Sequence, residues 1–281
     1  MGTLHVIIST SAAARLSAAR TYLQELPVAA EAVVVGATRG AADDFVRAIA
    51  RDRGATFGLT RVSLTDLAAL AAKTTAPGRR RAAATQAGAE AIAARAVFAS
   101  AGELTYFTPV ASMPGFSRAL ARTVHELRLA GVDPAALSAR DAATADIGRL
   151  LERTEQELGR SAIDDRAGLF RLATSAIADG AVRWASLPIV LLDVPLDAVV
   201  EREFVAALAS RSPSIVATVP AGDDVPSAEW TRLGATVEHV ADAAPPTSDL
   251  AHLRRHVFTV ECPPQRTRAG DVRMFSAPGE G

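Results

Sequence analysis

Two short stretches hold residue types that bear on nucleotide chemistry, and both depart from what that chemistry needs. A phosphate-binding loop of the form G-x-x-x-x-G-K-[ST] works because its glycines let backbone N–H groups wrap the phosphates. Its lysine reaches the terminal phosphate and its hydroxyl holds magnesium. Here the apolar run His5–Ser9 leads into Ser9-Thr10-Ser11-Ala-Ala-Ala-Arg15-Leu16. Both glycines are absent, Arg15 stands in the lysine slot, and Leu16 replaces the metal-binding hydroxyl. The second stretch, Leu187–Asp193, is the most apolar run in the chain. A hydrolytic strand ends in an aspartate for the metal, followed by a glutamate that polarises water. Asp193 fills the first position and Val194 the second. The altered loop and the altered strand end together predict a degenerate site that hydrolyses nothing and takes no cofactor. A lone aspartate at a strand end also has a structural role open to it, capping a loop or the next helix.

Other constellations carry less. His252 and His256 have the i, i+4 spacing of two metal ligands on a helix, but the adjacent catalytic glutamate and a third ligand are missing, so no metal is expected. The acidic pairs Asp43-Asp44 and Asp164-Asp165 lack a strand-borne Glu-x-Lys and read as helix starts, where the dipole favours negative charge. Arg79-Arg-Arg81 is the densest basic cluster, open to phosphate contact or to simple solvation. Lys73 is the one lysine. It lies in Ala-Ala-Lys-Thr-Thr without glycines, so lysine-dependent chemistry is largely excluded. Cys262, followed by two prolines, has no partner for a disulfide or cluster.

These residues must be positioned by strands alternating with helices. His5–Ser9, Ala32–Gly36 and Thr60–Leu64 read as buried strands, each followed by a helix: Ala12–Leu26, about Ala41–Arg53, and one entered near Leu67 with Ser63 or Thr65 as N-cap. Leu187–Asp193 and Ser214–Val219 repeat the strand signal, with a helix from about Ala198 to Ser210 between them. Glu229–Val240 holds room for one more helix and strand, 241–246 reads as a loop, and Asp271–Ser276 reads as the start of a further strand. From Thr74 to Trp184 the pattern turns helical. The expected fold is therefore α/β, a parallel P-loop-NTPase-like sheet over 1–75 and 185–281 whose last strand is incomplete, with a large all-helical insertion over 76–184. In a parallel sheet the ligand site lies at the carboxyl ends of the strands, so the first loop, the loop after Val35 and Asp193 should converge. Within the insertion, Phe116, Leu120, Val124 and Leu127 form an apolar stripe that leaves Arg118, Arg122 and Arg128 nearer the polar side, as a solvated face or a binding one.

The 281 residues are 49% hydrophobic and 22% charged, with a net charge of −1, which suits a soluble protein of one large or two ordinary domains. The near-neutral balance argues against a generally basic nucleic-acid coat and permits a local basic strip. No apolar run reaches membrane length and the opening segment is too short for a signal peptide, so a cytoplasmic location without membrane contact is expected.

In order and kind, these parts resemble the helicase-like N-terminal half of AddB-type subunits of bacterial helicase-nucleases, or related PD-(D/E)XK nuclease family proteins. The resemblance runs through the loop at Ser9–Leu16, Val35–Asp43 at the helicase Ia position, Pro114–Leu120 running into Glu126–Val132, and Ile189–Asp193 at the Walker B position. It ends at Val272–Glu280, similar to the strand that opens a second motor domain. It implies an inactive helicase-like module in double-strand-break processing and recombinational repair, working with a helicase-nuclease partner subunit. That module would contact single-stranded DNA, with Thr38, Arg39, Arg118, Arg122 and Arg128 as contacts. It also implies that the catalytic nuclease domain lies outside these residues, the chain being a fragment. Two further readings stay open: a nucleotide-binding α/β enzyme that holds phosphate with Ser9, Thr10, Ser11 and a helix N-terminus, and a scaffold that binds only a partner protein.

Overall fold

The computed structural model describes residues 2–27, 29–75, 82–241, 247–257, 260, 262–273, 275 and 276. By internal packing the chain divides into two units, one made of 1–64, 184–195 and 209–281, the other of 65–183 and 196–208.

The first unit is a parallel α/β sheet. Its strands are β1 (Thr3–Ser9), β2 (Ala32–Gly36) and β3 (Leu59–Ser63), then β6 (Ile189–Leu192), β7 (Ser214–Pro220) and β8 (Thr236–His239), arranged β3-β2-β6-β7-β1-β8 with every pairing parallel. Helices α1 (Ala12–Glu25) and α2 (Arg39–Arg53) connect the early strands. Each starts where a hydroxyl accepts a backbone amide at its N-cap: Ser11 from Ala14, and Thr38 from Ala41. Val190 and Leu192 on β6 and Val34 on β2 pack with Ala19 and Leu23 of α1 and Phe45, Val46 and Ile49 of α2. All four residues of β6 are buried, as a strand flanked by β2 and β7 and covered on both faces requires. Helix α10 (Asp224–Arg232) buries Trp230 and leads to β8, an edge strand exposed along its length.

The second unit contains α3 (Leu64–Thr75) from its second residue on, α4 (Gln86–Ser100), α5 (Phe116–Leu129), the short α6 (Pro134–Leu137), α7 (Ala142–Arg160) and α8 (Arg166–Ala178), with the first ten residues of α9 (Val199–Arg211). Its core joins Ala93 and Val97 of α4, Leu120 and Val124 of α5, and Leu150 and Leu151 of α7. A second contact stacks Phe170 of α8 edge-on to Phe204 of α9, ring centroids 5.5 Å apart.

Three expectations need correction. The division falls at 64 and not at 75, and 196–208 group with the helices, because α3 and most of α9 have their packing partners there. The helical unit is not all-helical: β4 (Ala82–Ala83) and β5 (Ile163–Asp164) form a parallel two-residue pair. Such short bridges carry no hydrophobic alternation to read. The strand expected over Asp271–Ser276 does not form in its described residues. Asp271 instead accepts the amides of Asp249 at 2.7 Å and Leu250 at 3.0 Å at the start of α11 (Asp249–His256), which ties the segment to a helix end. Arg79–Arg81 and most of the 241–246 loop lie outside the described residues.

Candidate functional site

The sheet order contains a switch point. From β1 the chain runs past β7 and β6 to reach β2, while from β7 it runs the other way, past β1, to β8. Adjacent strands whose connections leave in opposite directions open a cleft at their carboxyl ends, where α/β folds hold ligands. Ser9, Asp193 and Thr218 come together there, and the first turns of α1 bring Arg15 in.

Arg15 is buried, with its guanidinium laid flat against Asp193. Nε donates to Oδ1 at 2.8 Å and Nη2 to Oδ2 at 2.7 Å, while Nη1 donates to the Ser9 carbonyl at 2.5 Å. The planar fork matches the carboxylate, which an ammonium cannot do. Asp193 is further held by Thr218, whose hydroxyl donates to Oδ1 at 2.7 Å and accepts the Asp193 amide at 2.9 Å. Register explains the pairing: Thr218 lies opposite Leu192, so the residue after β6 turns back over it. Asp193 has φ of +47°, a left-handed conformation unusual outside glycine. Such backbone costs about 1–3 kcal/mol and persists where its surroundings over-determine it, as these bonds do. Three hydrogen bonds fill most of the carboxylate's acceptor capacity, so a cation at Asp193 would have to displace Arg15.

The remaining residues of the first loop are also engaged. Ser9 and Ser11 are buried, Thr10 is half-buried and Leu16 is exposed. Ser9 Oγ accepts the Ser11 amide at 3.1 Å and Ser11 Oγ accepts the Ala14 amide at 3.4 Å, so two hydroxyls on which a phosphate reading relies are tied to local amides. Val194 is buried. Thr218 is the residue the loop and strand-end motifs do not name. Its only signal is a hydroxyl near the end of the otherwise apolar run Ile215–Val219.

The contact candidates separate. Thr38 is exposed and caps α2, and Arg39 beside it is exposed. Gly36 lets the chain turn there, since a Cβ on it would meet the Thr38 carbonyl at 2.6 Å and the Ala42 amide at 2.8 Å. In the helical unit Arg118 is exposed and 3.4 Å from Glu90, and Arg122 is exposed. Arg128 overturns its expected place on the polar side. It is buried, donating to Asp165 at 2.7 and 3.1 Å and to Glu155. At 3.6 residues per turn it falls beside Val124 on the inward sector, and charge alone does not expel an arginine that finds two carboxylates inside. Asp165 also caps α8 through the Gly168 amide at 2.8 Å. Burial pushes its carboxyl up, but the hydrogen bonds and charge of Arg128 outweigh this and hold it below the ordinary range. Replacing Arg128 by lysine keeps the charge and loses the fork, and is expected to cost about 1–2 kcal/mol in denaturant unfolding; an unchanged midpoint would contradict this assignment.

His252 and His256 lie against each other with their rings tilted by 52° and centroids 4.6 Å apart. Among the described residues, no group of three or more His, Cys, Asp or Glu gathers as metal ligands, and no helix is long and apolar enough to cross a membrane. Cys262 is exposed. Compared with known proteins, the chain matches no family model and no curated sequence.

Proposed function

We propose that this chain is a non-hydrolysing, helicase-like module of a DNA helicase-nuclease, acting in double-strand-break processing beside a partner subunit and contacting single-stranded DNA. One observation supports the loss of nucleotide chemistry above all others. The group in the lysine slot, Arg15, and the group in the metal slot, Asp193, are bound to each other at 2.7 and 2.8 Å. Each satisfies the charge that phosphate or magnesium would otherwise meet. Val194, where a water-polarising glutamate is needed, is buried and apolar. For DNA the support is the pair Thr38 and Arg39 after β2, and the exposed Arg118 and Arg122 on α5.

Titrating the purified chain with a labelled ATP analogue and with a single-stranded oligonucleotide, each across a range of salt, tests both halves. The expected result is no magnesium-dependent nucleotide binding, and oligonucleotide binding that weakens as salt rises. Tight magnesium-dependent nucleotide binding would replace this reading by a nucleotide-binding enzyme. Two flat titrations would leave a scaffold for a protein partner.

A further inference from the structure

Helix α7 carries Arg149, Arg153 and Arg160 at i, i+4 and i+11. At 100° per residue these share one narrow sector, a stripe about 16 Å long. Their guanidinium groups are ordered by neighbouring acceptors. Arg149 donates to Asp146 at 2.8 Å and to the Glu103 carbonyl at 3.1 Å, Arg153 to Gln156 at 3.1 Å, and Arg160 to Glu157 at 2.8 Å. Arg95 of α4 reaches the other oxygen of Glu157 at 2.7 Å. The carboxylates beneath are 0% and 4% exposed, whereas Arg149, Arg95 and Arg160 are 43%, 60% and 63% exposed. The charge that reaches solvent along this ridge is mainly positive, with Glu103 and Glu152 as exposed carboxylates on its flanks.

Two aromatic rings flank the same helix pair. Phe98, one turn beyond Arg95, is 86% exposed, and with Arg95 and Glu157 it lines an open recess of 400 Å³. Tyr106 is 60% exposed on a loop whose amides close on Asp146, one turn before Arg149. The unit's core does not use Phe98, since its neighbour Val97 faces inward.

We infer that α4, the loop after it and α7 form a surface for a single strand of nucleic acid, with the arginines taking phosphates and Phe98 and Tyr106 stacking bases. Ordered cations interleaved with exposed rings suit a strand whose bases are unpaired, since every base offers a face to stack. This inference rests on the DNA-binding reading above and moves the principal contact from α5 to α7.

The test is fluorescence anisotropy of a labelled oligothymidylate with the full chain and with Phe98→Ala, Tyr106→Ala and Arg153→Gln. All three change side chains outside the core, and thermal melts check that each variant remains folded. The control is Arg47→Gln, at an exposed pair on α2. Each aromatic variant should weaken binding roughly 5- to 150-fold. Arg153→Gln should reduce the salt slope by about 0.7, and the control should match wild type. If binding falls only in Arg39→Gln or Arg122→Gln, the α7 surface is wrong while the DNA reading stands. If wild type binds no oligonucleotide, both fall. If the aromatic variants are silent and polyglutamate competes as well as the oligonucleotide, the ridge takes an acidic protein segment and the nucleic-acid assignment is overturned.

Discussion

Arg15→Leu is expected to lower the unfolding free energy by about 3 kcal/mol, because it leaves a carboxylate facing an apolar side chain in a site that excludes most water. Asp193 is 29% exposed, which keeps the figure at the lower end for a broken ion pair. The double variant Arg15→Leu/Asp193→Leu should recover most of that loss, since two matched apolar groups replace a matched pair of charges. Denaturant unfolding of the two single variants and the double variant measures the coupling. A coupling near zero would mean that the pair is incidental, and the account of the closed site would fall with it. The same Arg15 variant bears on function. It uncovers Asp193 without supplying loop glycines or a water-polarising glutamate, so on the proposed reading magnesium-dependent ATP turnover should stay absent. Turnover in Arg15→Leu would mean that the arginine alone silences the site.

Asp146→Ala should cost about 3–5 kcal/mol, by a different mechanism. The Asp146 carboxylate is fully buried and accepts the amides of Thr105, Tyr106 and Phe107 at 2.8–3.2 Å, with Arg149 at 2.8 Å. Three successive amides pointing at one spot form an anion nest, filled here by the protein's own side chain. Without it they are left pointing at a gap, and the turn that carries Tyr106 loses its anchor. Burial by itself would push the Asp146 carboxyl up. The amides of Phe107, Thr105 and Tyr106 and the Thr105 hydroxyl outweigh it and hold the group below its ordinary 3.8. A lowered folded-state pKa means that the stabilisation is complete above the ordinary value and drains away as pH falls through the folded one. Stability of the wild-type chain should therefore drop as pH falls from about 5 through the ordinary carboxylate value and below it, and Asp146→Asn should flatten that limb of the curve while starting from a lower plateau. An identical acid limb in wild type and Asp146→Asn would show that other carboxylates govern it.

The alternation of apolar strand and helix former was legible from side-chain type alone. β2 occupies the five residues read for it, and α1 and α9 lie within a residue or two of their expected bounds, because β-branched runs and Ser or Thr caps act locally. The parallel α/β class followed from that alternation. The two-residue strands β4 and β5 were invisible, since a bridge of that length is decided by which backbones pass each other. The segment after Arg266 misled for a related reason: Val272-Arg-Met-Phe275 has strand-forming residues, but Asp271 is claimed by the start of α11.

At the candidate site, residue types alone showed which groups were missing. Arg15 stands where a phosphate-binding loop carries lysine and Val194 where a hydrolytic strand carries glutamate, and the proposed loss of nucleotide chemistry rests on those two positions. Tertiary structure decided what the remaining groups do. Arg15 and Asp193 are 178 positions apart, and only the order of β1, β7 and β6 brings them within hydrogen-bonding distance over Thr218. The same holds for the arginines of the helical unit. Spacing along α5 placed Arg128 near solvent, whereas Glu155 on α7 and Asp165 at the start of α8 made a buried position favourable for it. Local propensity is written in neighbouring residues, but whether a charge faces water or a carboxylate depends on elements far away in the chain. For the Arg15–Asp193 pair and for Arg128, that long-range pairing settled the outcome.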